Sequence, residues 1–395
     1  GTIDKTDINN YTWSGYGDEE TTNDTGKCTV SITNTAAIVK GNVFGAGKGS
    51  GVTFQCEKAM AYNTEVTISA GTVNGNVYGG GEVGRVENNS KVKVGSGDGV
   101  AEGTPTSAPD IKGSVFGAGK GLATHGYSAL VRGNTEVTIE GNAKVGKSVY
   151  GGGEIASVGR YGLNAQKMPN ILLDGGECKV NVQGYAVIGP VNASDDKGNV
   201  FGAGKGVDTP FDGTNKPQRM TLDNSGNSIM ETIDSEEAYK SYLETLALAT
   251  KPLVTIGGHT TINGSVYGGG ELGLTKGSVI VTINGGTIEK DVYGGGALAN
   301  TNTTHDVGVK ENGVWKKENG EYVTTTVHPT TEVKLLGGLI KRDVFGGGLG
   351  QLGDSPIAAI VDGDVTVELN NNNGTCQVNG SVFGSNNING TPKGH

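Results

Sequence analysis

The chain has 395 residues and a net charge of −10, with 31 basic against 41 acidic side chains and no basic stripe, which makes nucleic acid and anionic membrane surfaces poor partners. No apolar run approaches the ~20 residues of a membrane-spanning helix, so membrane insertion is not expected. The 71 glycines follow no Gly-X-Y period and stand at fixed places beside Val, Ile, Phe and Tyr, which excludes collagen and argues for ordered, Gly-cornered structure.

Residues 1–28 are polar and acidic, with Tyr11, Trp13 and Tyr16 available to cover a first structural layer, and are expected to form an N-terminal cap. From residue 29 to 390 one phrase returns nine times. Its copies begin at Val43, Val77, Val115, Val149, Val200, Val266, Val292, Val344 and Val382, each followed by Phe or Tyr and then Gly. A fuller unit precedes it, as in Glu65-Val66-Thr67-Ile68, Gly71-Thr72-Val73 and Asn76-Val77-Tyr78-Gly79. Short β-branched runs punctuated by Gly or Asn read as strands between tight turns. Val266 and Val292 stand only 26 residues apart, room for three short strands and their corners. A propeller blade needs ~40–50 residues, so the fold class expected is all-β, a single-stranded parallel β-helix of about nine coils spanning ~43 Å. Longer spacings are the same coil with loops, and the excess falls mainly after the Gly-rich segment, along one edge.

The phrase has two versions. Phe-Gly-Ala-Gly-Lys-Gly ends in Lys48, Lys120 and Lys205 followed by Gly; Tyr-Gly-Gly-Gly-Glu ends in Glu82, Glu154 and Glu271. Phe44 and Phe116 are 72 residues apart, as are Tyr78 and Tyr150. Stacking at ~4.8 Å would make these six charges a structural ladder of alternating sign that resists a one-coil slip; Ala297, Leu349 and Asn387 end it. Strand parity puts rings and charges on one side and Val on the other. Outward rings at Tyr78, Tyr150, Tyr267 and Tyr293 would offer a sugar-stacking platform, although stacked rings also stabilise a solenoid without any ligand.

Two insertions are distinctive. Within 207–252, residues 235–248 read as a helix capped by Ser235, with acids in the first turn and Tyr239, Tyr242, Leu243 and Leu246 on one face. Within 299–330, Asn312-Gly313 and Asn319-Gly320 mark hairpin turns, and Trp315 is a candidate contact residue, with packing on its own strand as the simpler expectation. Residues 391–395 form a short tail after the last coil, where the chain is expected to continue in a longer protein or to be covered by a partner.

No catalytic set emerges. Cys28, Cys56, Cys178 and Cys376 lack zinc spacing; Cys28 and Cys56 lie about one coil apart, which makes a disulfide between them the alternative and buried thiols the simpler expectation. The five histidines show no HExxH or triad pattern. Asp195-Asp196 and His259 stand without the Asn-Thr-Asp and Arg-Ile-Lys segments of β-helical polygalacturonases. Acids at 195–198 and 362–364 are read as solvated loop acids rather than Ca²⁺ ligands. No metal or cofactor is expected.

At the level of the repeat, Gly-Asn-Val-Tyr-Gly-Gly-Gly-Glu and its variants resemble the large secreted or surface proteins of gut Bacteroidales that carry long runs of Gly-rich β-solenoid repeats. The resemblance covers the coils but neither insertion, and it supplies no active-site residues. It implies an extracellular or cell-surface scaffold, adhesin-like and without catalysis, whose partners are a glycan, a surface protein or further β-helix repeats. A polysaccharide lyase or hydrolase, or a self-assembling fibre segment, is the alternative.

Overall fold

A computed structural model gives the fold and describes residues 26–393, apart from 55, 57, 58, 98, 101–107, 165, 354, 355 and 371–374. The cap expected over residues 1–28 lies outside the described residues up to 25, and its last residues already belong to the first strand, Lys27–Ile32.

The chain is a parallel β-helix. One wall stacks the longer strands, among them Asn63–Ile68, Thr135–Ile139 and Glu177–Val182, in strict register. Val30, Val66, Val92, Val137, Val180, Val254, Val281, Val333 and Val367 form one continuous column along it. Alternation decides which side chains enter the core: in Asn63–Ile68 every second residue is buried. A second wall of two-residue pairs, such as Thr72–Val73 and Lys144–Val145, turns the corner. The third wall is the repeated phrase itself, nine two-residue strands with each Val opposite the next from Val43 to Val382.

The short walls hold two residues in most coils, and a fourth line of pairing was not expected. Ala61, Val86, Val131 and Val158 pair in parallel, and the line continues through Ala249, Thr275, Thr301 and Val361. The Gly-rich segments make this possible, because their backbones cross close beneath one another. Each coil thus encloses two cores. The main one is Val and Ile; the narrower one is built of small residues, including Val86, Ala118, Val131, Ala156 and Ala203.

Two polar devices hold the stack. The residue before each repeated Val offers its side-chain oxygen to the backbone N–H of its counterpart one coil on. The chain of bonds runs from Asn42 through Asn76, Ser114, Ser148, Asn199, Ser265, Asp291 and Asp343 to Ser381, with distances of 2.7–3.3 Å. On the first wall, Thr64 and Thr135 donate at 2.7 and 2.6 Å to the carbonyls of Gly79 and Gly151. A buried carbonyl without such a partner costs about 1–3 kcal/mol.

Candidate functional site

The aromatic column is continuous from Phe44 to Phe383, with ring centroids 4.6–5.1 Å apart and planes within 3–10°. It lies outside the Val core, but it is not an open platform. Tyr78, Tyr150, Tyr267 and Tyr293 are 0–5% exposed, so their faces meet neighbouring rings and not solvent. A stack with one ring per coil leaves no gap for a sugar.

The hydroxyls explain why the phrase alternates. Tyr78 donates to Glu154 and Tyr150 donates to Glu271 at 2.5 Å, in each case two coils further on. Asn387 donates to the Tyr293 hydroxyl at 2.9 Å across the same two-coil step. Tyr267 has Leu349 at that position, which packs against the ring column. Burial, reinforced by the facing carboxylates, raises the hydroxyl pKa of Tyr78 and Tyr150, so both remain protonated donors. The charge ladder expected from Lys48, Glu82, Lys120, Glu154, Lys205 and Glu271 lies on one line. It closes ion pairs between Lys48 and Glu82 at 3.4 Å and between Glu154 and Lys205 at 3.8 Å. Glu154 and Glu271 serve the tyrosines at least as much as they serve the lysines, whereas Glu82 pairs with Lys48.

Trp315 is half-buried in its own hairpin, against Gly308 and beneath the Lys310 ammonium at 4.4 Å. Asn312 and Asn319 adopt φ of 52° and 54° and precede Gly313 and Gly320 at positive φ, as Asn-Gly hairpin turns require. Cys28 is exposed, whereas Cys56 and Cys178 are buried; burial pushes the Cys178 thiol up to about 12. Asp195 pairs with Lys290 at 2.7 Å, and Asp362 accepts from Thr304. His259 stacks on Tyr185 at 4.7 Å.

The large insertions leave the coil between the third and first walls, and they knit into a second layer. Phe54 packs against Tyr127, Leu130 and Met220, and its N–H donates to Ser228 at 2.9 Å. The helix Glu236–Leu243, capped by Ser235 at 3.1 Å, buries Tyr239 and Tyr242 with Leu246 and Ile155. It stops five residues short of the expected end, and Ala247 adopts φ of 56° so that Leu246 and Leu248 turn into the layer. The hairpin Arg160–Leu163 with Pro169–Asp174 joins Leu172 to Val307 of a later insertion.

At the junction of these elements lies a cavity of about 240 Å³. Leu248, Leu274 and Met168 give it an apolar side. Lys276, 8% exposed, reaches it from the fourth wall, and its ammonium donates to Asn170 Oδ1 on the hairpin. Lys276 is held there by the chain reversal that follows: Gly277 has φ of 96°, and a Cβ would stand 2.0 Å from Thr250 O. Asn164 fixes the hairpin turn by accepting from the N–H groups of Gln166 and Met168. Glu244 closes the helix and stands exposed at the cavity mouth.

Burial lowers the Lys276 pKa, against the opposing pull of Glu244 and Asp306. Partial desolvation at the cavity mouth raises the Glu244 carboxyl although the side chain still reaches solvent, with Lys276 drawing it back. His305, 5% exposed, is lowered by burial and by the Lys276 charge. The site therefore sets an ammonium donor and a carboxylate acceptor around a small, half-apolar space. Sequence reasoning missed it, because Asn170, Glu244 and Lys276 fall in three separate inter-coil segments. The one available signal was Lys276 itself, a charge set between Thr275 and the tight turn at Gly277.

No protein-family model matches the chain, and neither a curated protein nor a solved structure matches it.

Proposed function

We propose that this chain is an extracellular, adhesin-like repeat scaffold that presents its insertion layer to a glycan or protein partner and carries out no catalysis of its own. One observation carries the reading: insertions from six coils, as far apart in sequence as Phe54 and Ser228, pack on one another along one side of the helix. A solenoid needs only its neighbouring coils to fold, so a knitted outer layer with its own apolar clusters is extra structure, of the kind a recognition surface requires. The extracellular setting rests on the resemblance of the repeat.

The test is incubation with immobilised host and microbial polysaccharides, reading retention and chain cleavage together. Retention with intact polymer is expected. Cleavage would replace the adhesive reading with a polysaccharide-active enzyme, for which Lys276 facing Glu244 would be the acid–base pair to mutate first. With neither outcome, a glycan partner is eliminated and a protein partner remains.

A further inference from the structure

The geometry points to the cavity between the helix, the 160–174 hairpin and the fourth wall as a binding site for one neutral sugar residue, with adjacent hydroxyls bridging Lys276 and Glu244. This inference rests on the glycan reading above and names the subsite.

Three features carry it. An ammonium has three hydrogens to donate, and among the described residues Asn170 Oδ1 is the acceptor it meets. The remaining donors belong to a buried group lining an open space, a position that calls for oxygen acceptors from a ligand. Glu244 stands at the mouth of the same space as an acceptor for hydroxyl hydrogens. A vicinal diol satisfies both, since each hydroxyl donates one hydrogen and accepts through its oxygen. Leu248, Leu274 and Met168 supply the apolar side that the C–H face of a pyranose needs. The volume, about 240 Å³, lies below the ~300–1,000 Å³ of sites for drug-sized ligands, which suits a single ring and not a chain segment.

Charge selects the neutral class. A carboxylate on the ligand would find Lys276 but would crowd Glu244, in a protein of net charge −10.

The experiment titrates methyl glucoside, methyl galactoside, N-acetylglucosamine and glucuronic acid into the isotope-labelled full chain, following the amide signals of Asn170, Glu244 and Lys276 by NMR. Lys276→Met and Glu244→Gln are titrated beside it, with thermal melts of all three proteins. At least one neutral sugar is expected to shift these signals more strongly than glucuronic acid. Lys276→Met should weaken that response at least about tenfold, the loss of a hydrogen bond to a charged group, and Glu244→Gln, which keeps an oxygen acceptor but loses its charge, should weaken it by a smaller, measurable factor. Glu244→Gln lies at an exposed rim and keeps the test valid should Lys276→Met unfold. Silence from every neutral sugar, or a response unchanged in Glu244→Gln, overturns the assignment. Polysaccharide retention that survives both substitutions overturns it too and leaves the adhesive reading standing. A sugar response here with no polysaccharide retention removes a polysaccharide as the adhesive partner and supports the site as one for a free sugar.

Discussion

A Cβ on Gly117 would stand 2.1 Å from the carbonyl oxygen of Gly151 one coil on, and the same collision awaits at Gly45, Gly79, Gly151, Gly202, Gly268 and Gly294. This is why glycine follows the aromatic residue in these coils: the backbones approach too closely for any side chain, whereas Gly384 of the last described coil meets nothing within 4 Å. Gly117→Ala is expected to lower unfolding stability by about 3 kcal/mol, the upper range of overpacking. Gly41→Ala, in open space, should stay within about 0.5 kcal/mol; equal melting curves for the two would refute the argument. Glu271 gives a pH signature. Burial raises its carboxyl above the ordinary value, against the Tyr150 hydroxyl and Lys205, so the native state holds the proton more tightly than the unfolded one. Its contribution to stability is full below the ordinary carboxylate pKa of about 4.3 and is lost as pH rises through the raised value. Glu271→Gln keeps an acceptor for Tyr150 and removes the titration. The variant should gain on the wild type as pH rises from 4 towards 7 in paired denaturation curves; a constant difference would rule this out. The fixed places of the glycines beside the aromatic residues were legible in the sequence. The Asn/Ser/Asp ladder before each Val was not, because three residue types share one hydrogen-bonding task.

At the scale of elements, local chemistry read well where it acts alone. Ser235 and the two acids that follow mark the helix start, and the Asn-Gly pairs mark both turns. The helix end did not read, because the partners that claim Leu246 and Leu248 include Ile155, Tyr161 and Leu172, more than 70 residues away in sequence. The ring column was expected to face outward. The rings do leave the Val core, but the one-per-coil spacing closes them against each other. The hairpin pair over 310–322 offers a clean excision, since Val309 and Val323 are already joined by a 2.9 Å backbone hydrogen bond. Deleting 310–322 also removes the Tyr322 ring from Gly162 of the 160–174 hairpin, so a small drop in melting temperature is expected; a large drop would show that these strands brace the layer. Comparing retention before and after the deletion tells whether Trp315 contacts the partner.

For the whole molecule, the knitted layer changes how the solenoid unfolds. A bare stack of coils couples only nearest neighbours and can fray, whereas Phe54 and Met220 join segments 166 residues apart in the sequence. Phe54→Ala is expected to cost about 3–5 kcal/mol. Combined with Met220→Ala it should fall short of additivity, because the two side chains share one cluster. Full additivity would mean the layer transmits nothing. The two-coil reach of Tyr78 to Glu154 and of Tyr150 to Glu271 also bears on the gene. Duplicating one coil would set a tyrosine against a lysine, while duplicating a 72-residue pair preserves every partner. The heritable unit of growth in such a chain is therefore the pair, and lengthening by single coils calls for simultaneous loss of the hydroxyl or the charge, as Tyr267 opposite Leu349 already illustrates.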